Sequence, residues 1–157
     1  MFWKTYGAVI GWMFGVGVVA GALFLLVVFG WFVPPDRGEE SVLLVMPFYG
    51  GFFGALAASA ASLAYGLALA LWTQRPHSVA SRAWVGALSA AAGAFAFWVV
   101  FGYALSALYG LQVWAVIGAA SGLLAMLTAG PLTARAARRA QNRADEPERA
   151  VSSEELA

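Results

Sequence analysis

Residues Gly50–Trp72 read GGFFGALAASAASLAYGLALALW. The stretch holds no charge, no proline and no cysteine. It is longer than the roughly 20 residues that a helix needs to cross a hydrocarbon core of about 30 Å. Backbone amides in lipid must be paired within their own segment, so a helix is the expected form. A transmembrane β-strand would be shorter and would alternate in polarity, which this stretch does not. Every fourth residue is small: Gly50, Gly54, Ala58, Ser62, Gly66 and Ala70. Small residues four apart share a helix face and let a second backbone approach closely.

Three further runs resemble it. The expected spans are 6–33, 48–72, 83–108 and 113–132, which make residues 1–132 a four-helix transmembrane domain. Composition agrees. The 157 residues are 62% hydrophobic and 11% charged, with a mean hydropathy of +0.77. A soluble fold carries about 25% charged residues. The predicted fold class is therefore an all-α integral membrane protein. The tripeptide Ala20-Gly21-Ala22 imitates a leader-peptidase site. The apolar run continues beyond it to Val33, however, and a secretory core is only about 7–15 residues long. The first run reads as a retained, tilted span.

The connections are short. Pro34–Ser41 (PPDRGEES) stops the first helix with two prolines. Pro47 suits a helical first turn, so the second span is expected to start there, with Val42–Met46 at the membrane rim. Thr73–Arg82 joins spans 2 and 3, and Tyr109–Gln112 (YGLQ) makes a tight link to span 4. Beyond Leu132 the chain turns polar and charged. Helix is expected to continue to about Ala144, and Pro147 with the acidic end predicts disorder after it. Residues 133–157 thus form a charged, largely disordered cytoplasmic tail. Trp3-x-x-x-Gly7 and Trp84-x-Gly86 are too unlike to indicate a duplication.

Lys4, Arg75, Arg82 and the tail arginines Arg135, Arg138, Arg139, Arg143 and Arg149 fall on one side of the four spans. Arg37 stands alone on the other, beside Asp36, Glu39 and Glu40. The positive-inside rule places both termini in the cytoplasm, as the parity of four spans does. Trp3, Trp72 and Trp84 suit an inner aromatic belt, and Trp31, Tyr49, Tyr109 and Trp114 an outer one. Trp12 and Trp98 lie deeper and fit neither. Lys4 is the sole lysine. Alanine, glycine and arginine richness suggests a bacterial source, which makes the expected location the cytoplasmic (inner) membrane, multi-pass.

What the spans lack narrows the function. Cysteine is absent, so thiolate metal sites and thiol chemistry are excluded. No Asp, Glu, Lys, Arg or His falls inside a predicted span. Ionisable groups in lipid mark proton relays and ion pathways. A proton-coupled exporter or an intramembrane protease would need one. His77, the sole histidine, falls in a loop, which argues against haem or metal held by helix histidines. No catalytic residue, metal or cofactor is expected, and the chain is not read as an enzyme. Asp36, Glu39 and Glu40 lack calcium-loop spacing and read as solvated.

The polar groups within the spans are Ser59, Ser62, Ser89, Ser106, Ser121 and Thr128, with Tyr65 and Tyr103. Such hydroxyls bond back to their own helix or across to a neighbour, at about 0.6 kcal/mol each. Span 3 is strongly aromatic, with Phe95, Phe97, Trp98, Phe101 and Tyr103. These groups either pack the bundle or line a pathway. Small-residue faces recur at Gly7, Gly11 and Gly15 (with Gly17 and Gly21 alongside), at Gly86, Ala90 and Ala94, and at Gly118 and Gly122. They either close one bundle or dock another chain.

Arg135, Arg138, Arg139 and Arg143 are candidates for lipid headgroups, with Arg135, Arg139 and Arg143 on one helical face. Arg75, Arg82 and His77 read as inner-loop polarity. Nucleic acid is not an expected partner, because the acidic end dilutes the charge. The leading functional expectation is a non-enzymatic scaffold or accessory subunit that meets a membrane-protein partner or forms a homo-oligomer. On that reading leucine at Gly54 and at Gly66 disrupts assembly. The alternative is a small channel or uncoupled transporter.

Overall fold

Apolar runs without internal breakers fold as helices along their whole length. A computed structural model describes residues 2–32, 41–72, 78–106 and 109–155, with side chains described for 5–32, 41–72, 78–106 and 109–143. It consists of α1 (Phe2–Val27), α2 (Ser41–Trp72), α3 (Val79–Ser106) and α4 (Leu111–Glu155). All four are long and apolar enough to cross a membrane. Helix α1 closes with a π-helical turn over Val28–Phe32.

Glycine contacts give the topology. Gly17 meets Gly54 while Gly21 meets Gly50, so α1 and α2 are antiparallel. Gly93 meets Ala60 and Ala61 while Gly86 meets Tyr65, and Gly102 meets Trp114 while Gly122 meets Ala91. Each neighbour therefore reverses direction, and α1 begins at the end of the bundle where α2 finishes, α3 starts and α4 leaves. We call this the terminal end. The intimate pairs are α1–α2, α3–α4 and α2–α3, whereas α1 and α4 meet only lightly. Among the described residues α1 and α3 share no contact. The fourth side of the bundle is thus a loose seam.

Two predicted boundaries move. Helix α2 begins at Ser41, and Pro47 lies inside it instead of opening it. The run Val42–Met46 contains no breaker, and a proline at the seventh helical position removes only the bond to the Leu43 carbonyl. Helix α4 continues past Leu132 and through Pro147 to Glu155, so helix extends over the segment expected to be disordered. Helix to about Ala144 agrees with expectation; the difference lies beyond it, where glutamate, arginine and alanine, all strong helix formers, flank Pro147.

Local caps shape two connections. Ser78 Oγ accepts the Ser81 N–H at 3.2 Å, the N-cap bond that satisfies a free amide of α3. Trp72 Nε1 donates to Ser81 Oγ at 3.2 Å and ties the end of α2 to the start of α3. Ahead of α4, Gly110 adopts φ = 77°, which side chains resist and glycine tolerates.

The core is built of small side chains. Ala61, Ala90, Ala94 and Ala129 are buried with Tyr6, Val9, Met13, Tyr65 and Leu69. The large side chains point outward: Leu63 is 68% exposed, Val100 67%, Val116 69% and Leu127 63%. Alanine is thus the commonest core residue, with Tyr65 and Leu69 the large side chains at its centre.

Candidate functional site

The closest backbone approach lies between α1 and α2. A Cβ added at Gly21 would collide with the Gly50 carbonyl oxygen, and one at Gly50 with that of Gly21. Gly54 faces the carbonyl oxygen of Gly17 in the same way, and Gly17 faces those of Gly54 and the Cβ of Ala58. The Hα atoms in those positions therefore aim at carbonyl oxygens. Such Cα–H···O contacts recur at helix–helix interfaces and contribute about 0.5–1 kcal/mol each.

The predicted row on α2 divides. Gly50, Gly54 and Ala58 are buried. Ser62 Oγ is shielded from solvent and has no partner among the described residues. Gly66 has nothing within 4 Å of an added Cβ, and Ala70 is exposed. The reason is geometric. Four residues advance about 400°, so a row of fourth residues winds about 40° per step. Gly66 has turned about 160° from Gly50.

On α1 the glycines that meet α2 are Gly17 and Gly21. Gly7 is half-buried, while Gly11 and Gly15 are exposed with nothing within 4 Å of an added Cβ. Two glycine faces therefore coexist on this helix, one used within the bundle and one open. Gly118 and Gly122 pack on α3 against Phe95, Trp98 and Ala91. Gly86 packs on the Tyr65 ring and Thr133 Oγ1, with Ala90 and Ala94 buried beside it.

Most hydroxyls in the spans turn back on their own helix. Ser59 donates to the Ala55 carbonyl at 2.8 Å, Ser89 to Gly86 at 3.1 Å, Ser106 to Gly102 at 2.7 Å and Thr128 to Leu124 at 2.9 Å. One pair bridges α2 and α4: Tyr65 Oη and Thr133 Oγ1 lie 2.9 Å apart, both residues fully buried. Thr133 donates its single proton to the Ala129 carbonyl at 2.6 Å, so Tyr65 is the donor to Thr133. Thr133 fell outside the predicted spans because the apolar run ends at Leu132. Its place one turn beyond Ala129, on the core face, is the signal that finds it.

At the end opposite the termini the aromatics interlock. Trp98 stacks on Trp114 with centroids 5.8 Å apart, Phe97 on Phe101 at 5.8 Å, and Phe53 meets Phe101 at 5.2 Å. The Trp114 ring lies on Gly102, where a Cβ would strike it. Trp98 and Trp114 thus belong to one packed cluster, while Trp31, Tyr49, Tyr109, Trp72 and Trp84 are exposed as belt residues would be. Trp98 Nε1 is shielded without a partner among the described residues. Tyr103 faces outward, and Phe95 is partly exposed with one ring edge on Gly118.

The α1–α4 seam is hollow. A cavity of about 210 Å³ lies between Met13, Gly17, Ala20 and Phe24 of α1 and Ile117, Ser121, Leu124 and Thr128 of α4, reaching Ala61 and Trp98. Toward the terminal end a wider groove of about 730 Å³ follows the same two helices, between Thr5, Ala8, Val9 and Trp12 and Leu132, Arg135, Ala136, Arg139, Ala140 and Arg143. Three of the four headgroup candidates therefore share one groove, and Arg138 lies outside its lining. Among the described residues no three His, Cys, Asp or Glu side chains converge. Asp36, Arg37, Glu39, Glu40, Arg75 and His77 fall outside the described residues.

A chain of four long apolar helices in up-down order, with a small-residue core and an open seam, defines the class of multi-pass helical bundles by shape. Compared with protein-family models, curated proteins and solved structures, the chain gives no match.

Proposed function

We propose that the protein is a multi-pass component of the cytoplasmic membrane, both termini inside, and acts as a non-enzymatic scaffold or accessory subunit. Large outward-facing Leu, Val and Phe side chains support the lipid setting, since in water they would form apolar patches far beyond the usual few hundred Å². Orientation is open to cysteine labelling, because the chain has no native cysteine. Ser41→Cys is expected to react with an impermeant maleimide on intact cells, and Ser78→Cys only after lysis. The reverse pattern would sink the orientation, and equal reaction of both on intact cells would sink the membrane-spanning reading.

The observation that carries the scaffold reading is the open glycine face of α1. Gly11 and Gly15 are exposed and meet nothing, although small residues four apart are suited to a close helix partner. The occupant is a helix of another membrane protein or of a second copy. Crosslinking in native membranes, gentle solubilisation and mass spectrometry identify it. The double variant Gly11→Leu/Gly15→Leu is expected to lose the assembly and keep the wild-type unfolding temperature. Assembly that survives both leucines would refute this use of the face.

A channel or uncoupled transporter is the second reading, favoured by the seam cavity with Ser121 and Thr128 on its wall. Flux of small neutral solutes into proteoliposomes tests it.

A further inference from the structure

The seam groove changes character along its length. Residues on one face of α4 run apolar through Leu124, Thr128 and Leu132, then cationic through Arg135, Arg139 and Arg143. Successive arginines rise about 6 Å, so the three cover about 12 Å of the groove wall. Like charges four apart on a helix repel one another. Asp145 and Glu146 follow Arg143 in the sequence, but no carboxylate lies within a turn of Arg135 or Arg139, and no described residue pairs with the three. Opposite stand Thr5, Ala8 and Trp12 of α1, with Trp12 65% exposed along the groove. The groove and the cavity beyond it together flank α1 from Thr5 to Phe24, about 28 Å, close to the thickness of a hydrocarbon core.

A groove with a cationic end at Arg135, Arg139 and Arg143 and an apolar end at Ala8, Val9, Trp12 and Leu132 is complementary to an anion joined to a hydrocarbon tail. We propose that the α1–α4 groove holds an anionic phospholipid, its phosphate among Arg135, Arg139 and Arg143 and an acyl chain along Ala8, Trp12 and Leu132. Basic pockets between membrane helices on the cytoplasmic side are suited to such headgroups. Three arginines spaced over about 12 Å favour a headgroup with two phosphates over one with a single phosphate. The lipid also explains how a bundle with so light an α1–α4 contact stays closed, because its chain fills the seam. The inference rests on the membrane-spanning reading above, which the cysteine labelling tests by itself.

The test uses the full chain in detergent with phosphatidylcholine, phosphatidylglycerol or diphosphatidylglycerol of matched acyl chains. Native mass spectrometry reads the adducts retained. Each arginine is expected to contribute about fivefold to retention of an anionic lipid, and the three together on the order of a hundredfold. The triple variant Arg135→Gln/Arg139→Gln/Arg143→Gln is expected to fall to the phosphatidylcholine level, and Arg138→Gln to stay at the wild-type level. Ala8→Trp keeps every charge and fills the groove, so it is expected to lower retention as well. Circular dichroism and tryptophan emission report that each variant is folded. Equal retention of all three lipids would overturn the proposal, as would a loss in Arg138→Gln equal to that in the triple variant. Wild-type retention by Ala8→Trp would also overturn it, since a surface patch without a groove behaves that way.

Discussion

Leucine at Gly54 is expected to separate α1 from α2. By helix propensity alone the exchange stabilises, since glycine in a helix interior is about 0.8–1 kcal/mol less favourable than alanine. The contact reverses the sign. The Hα of Gly54 points at the Gly17 carbonyl oxygen, and the side chain would have to displace a backbone instead of a flexible neighbour. Overpacking of a tight core costs about 1–3 kcal/mol and occasionally more, and here the Cα–H···O contacts of the glycine pairs are lost as well. We expect about 3 kcal/mol or more, read as a large fall in the unfolding temperature in detergent. Gly66→Leu, on the same row, meets open space and is expected to be neutral or slightly stabilising. Equal damage from both would mean that the row acts as one face, contrary to the winding described here.

The second large effect is asymmetric. Thr133→Val keeps the shape of the side chain and removes the acceptor that the buried Tyr65 hydroxyl has among the described residues. An orphaned buried donor costs about 1–3 kcal/mol. Tyr65→Phe removes the donor instead, and Thr133 keeps its bond to the Ala129 carbonyl. That loss should stay near the average of about 0.6 kcal/mol for hydrogen bonds between membrane helices. The double variant is expected to be more stable than Thr133→Val alone, because neither partner is then left stranded. Unfolding free energies around the cycle check the order. Tyr65→Phe costing more than Thr133→Val would show that Tyr65 accepts at this site.

Much of the architecture was legible before any coordinates. Length and the absence of charge mark four helices, and short connections make neighbours antiparallel. The glycine row reads as one face from Gly50 to Ala70, of which Gly50, Gly54 and Ala58 lie at the contact with α1 and Gly66 and Ala70 do not. Which α1 row answers it was not legible. Gly7, Gly11 and Gly15 form the longer glycine row, yet Gly17 and Gly21 lie on the face that continues Tyr6, Val9 and Met13 into the bundle. Val9, Met13, Gly17 and Gly21 are four apart just as Gly7, Gly11 and Gly15 are, so spacing alone does not separate the two rows. Thr133 escaped for a different reason. Hydropathy ends the span at Leu132, whereas the helix and its packing continue past it. The shared face of Arg135, Arg139 and Arg143 was readable, but the α1 wall opposite them depends on how two distant segments meet.

The contrast between a glycine- and alanine-rich contact and a bulky outer surface has a consequence for how such a sequence can change over generations. Positions on the outer surface, such as Leu63, Leu67 and Leu127, touch no fixed neighbour and can exchange among Leu, Val, Ile and Phe at little structural cost. Positions 17, 21, 50, 54 and 93 accept nothing larger than hydrogen beside the backbone that faces them. Selection on the fold then bears heavily on the least conspicuous residues, while the bulky ones on the outer surface are free to drift.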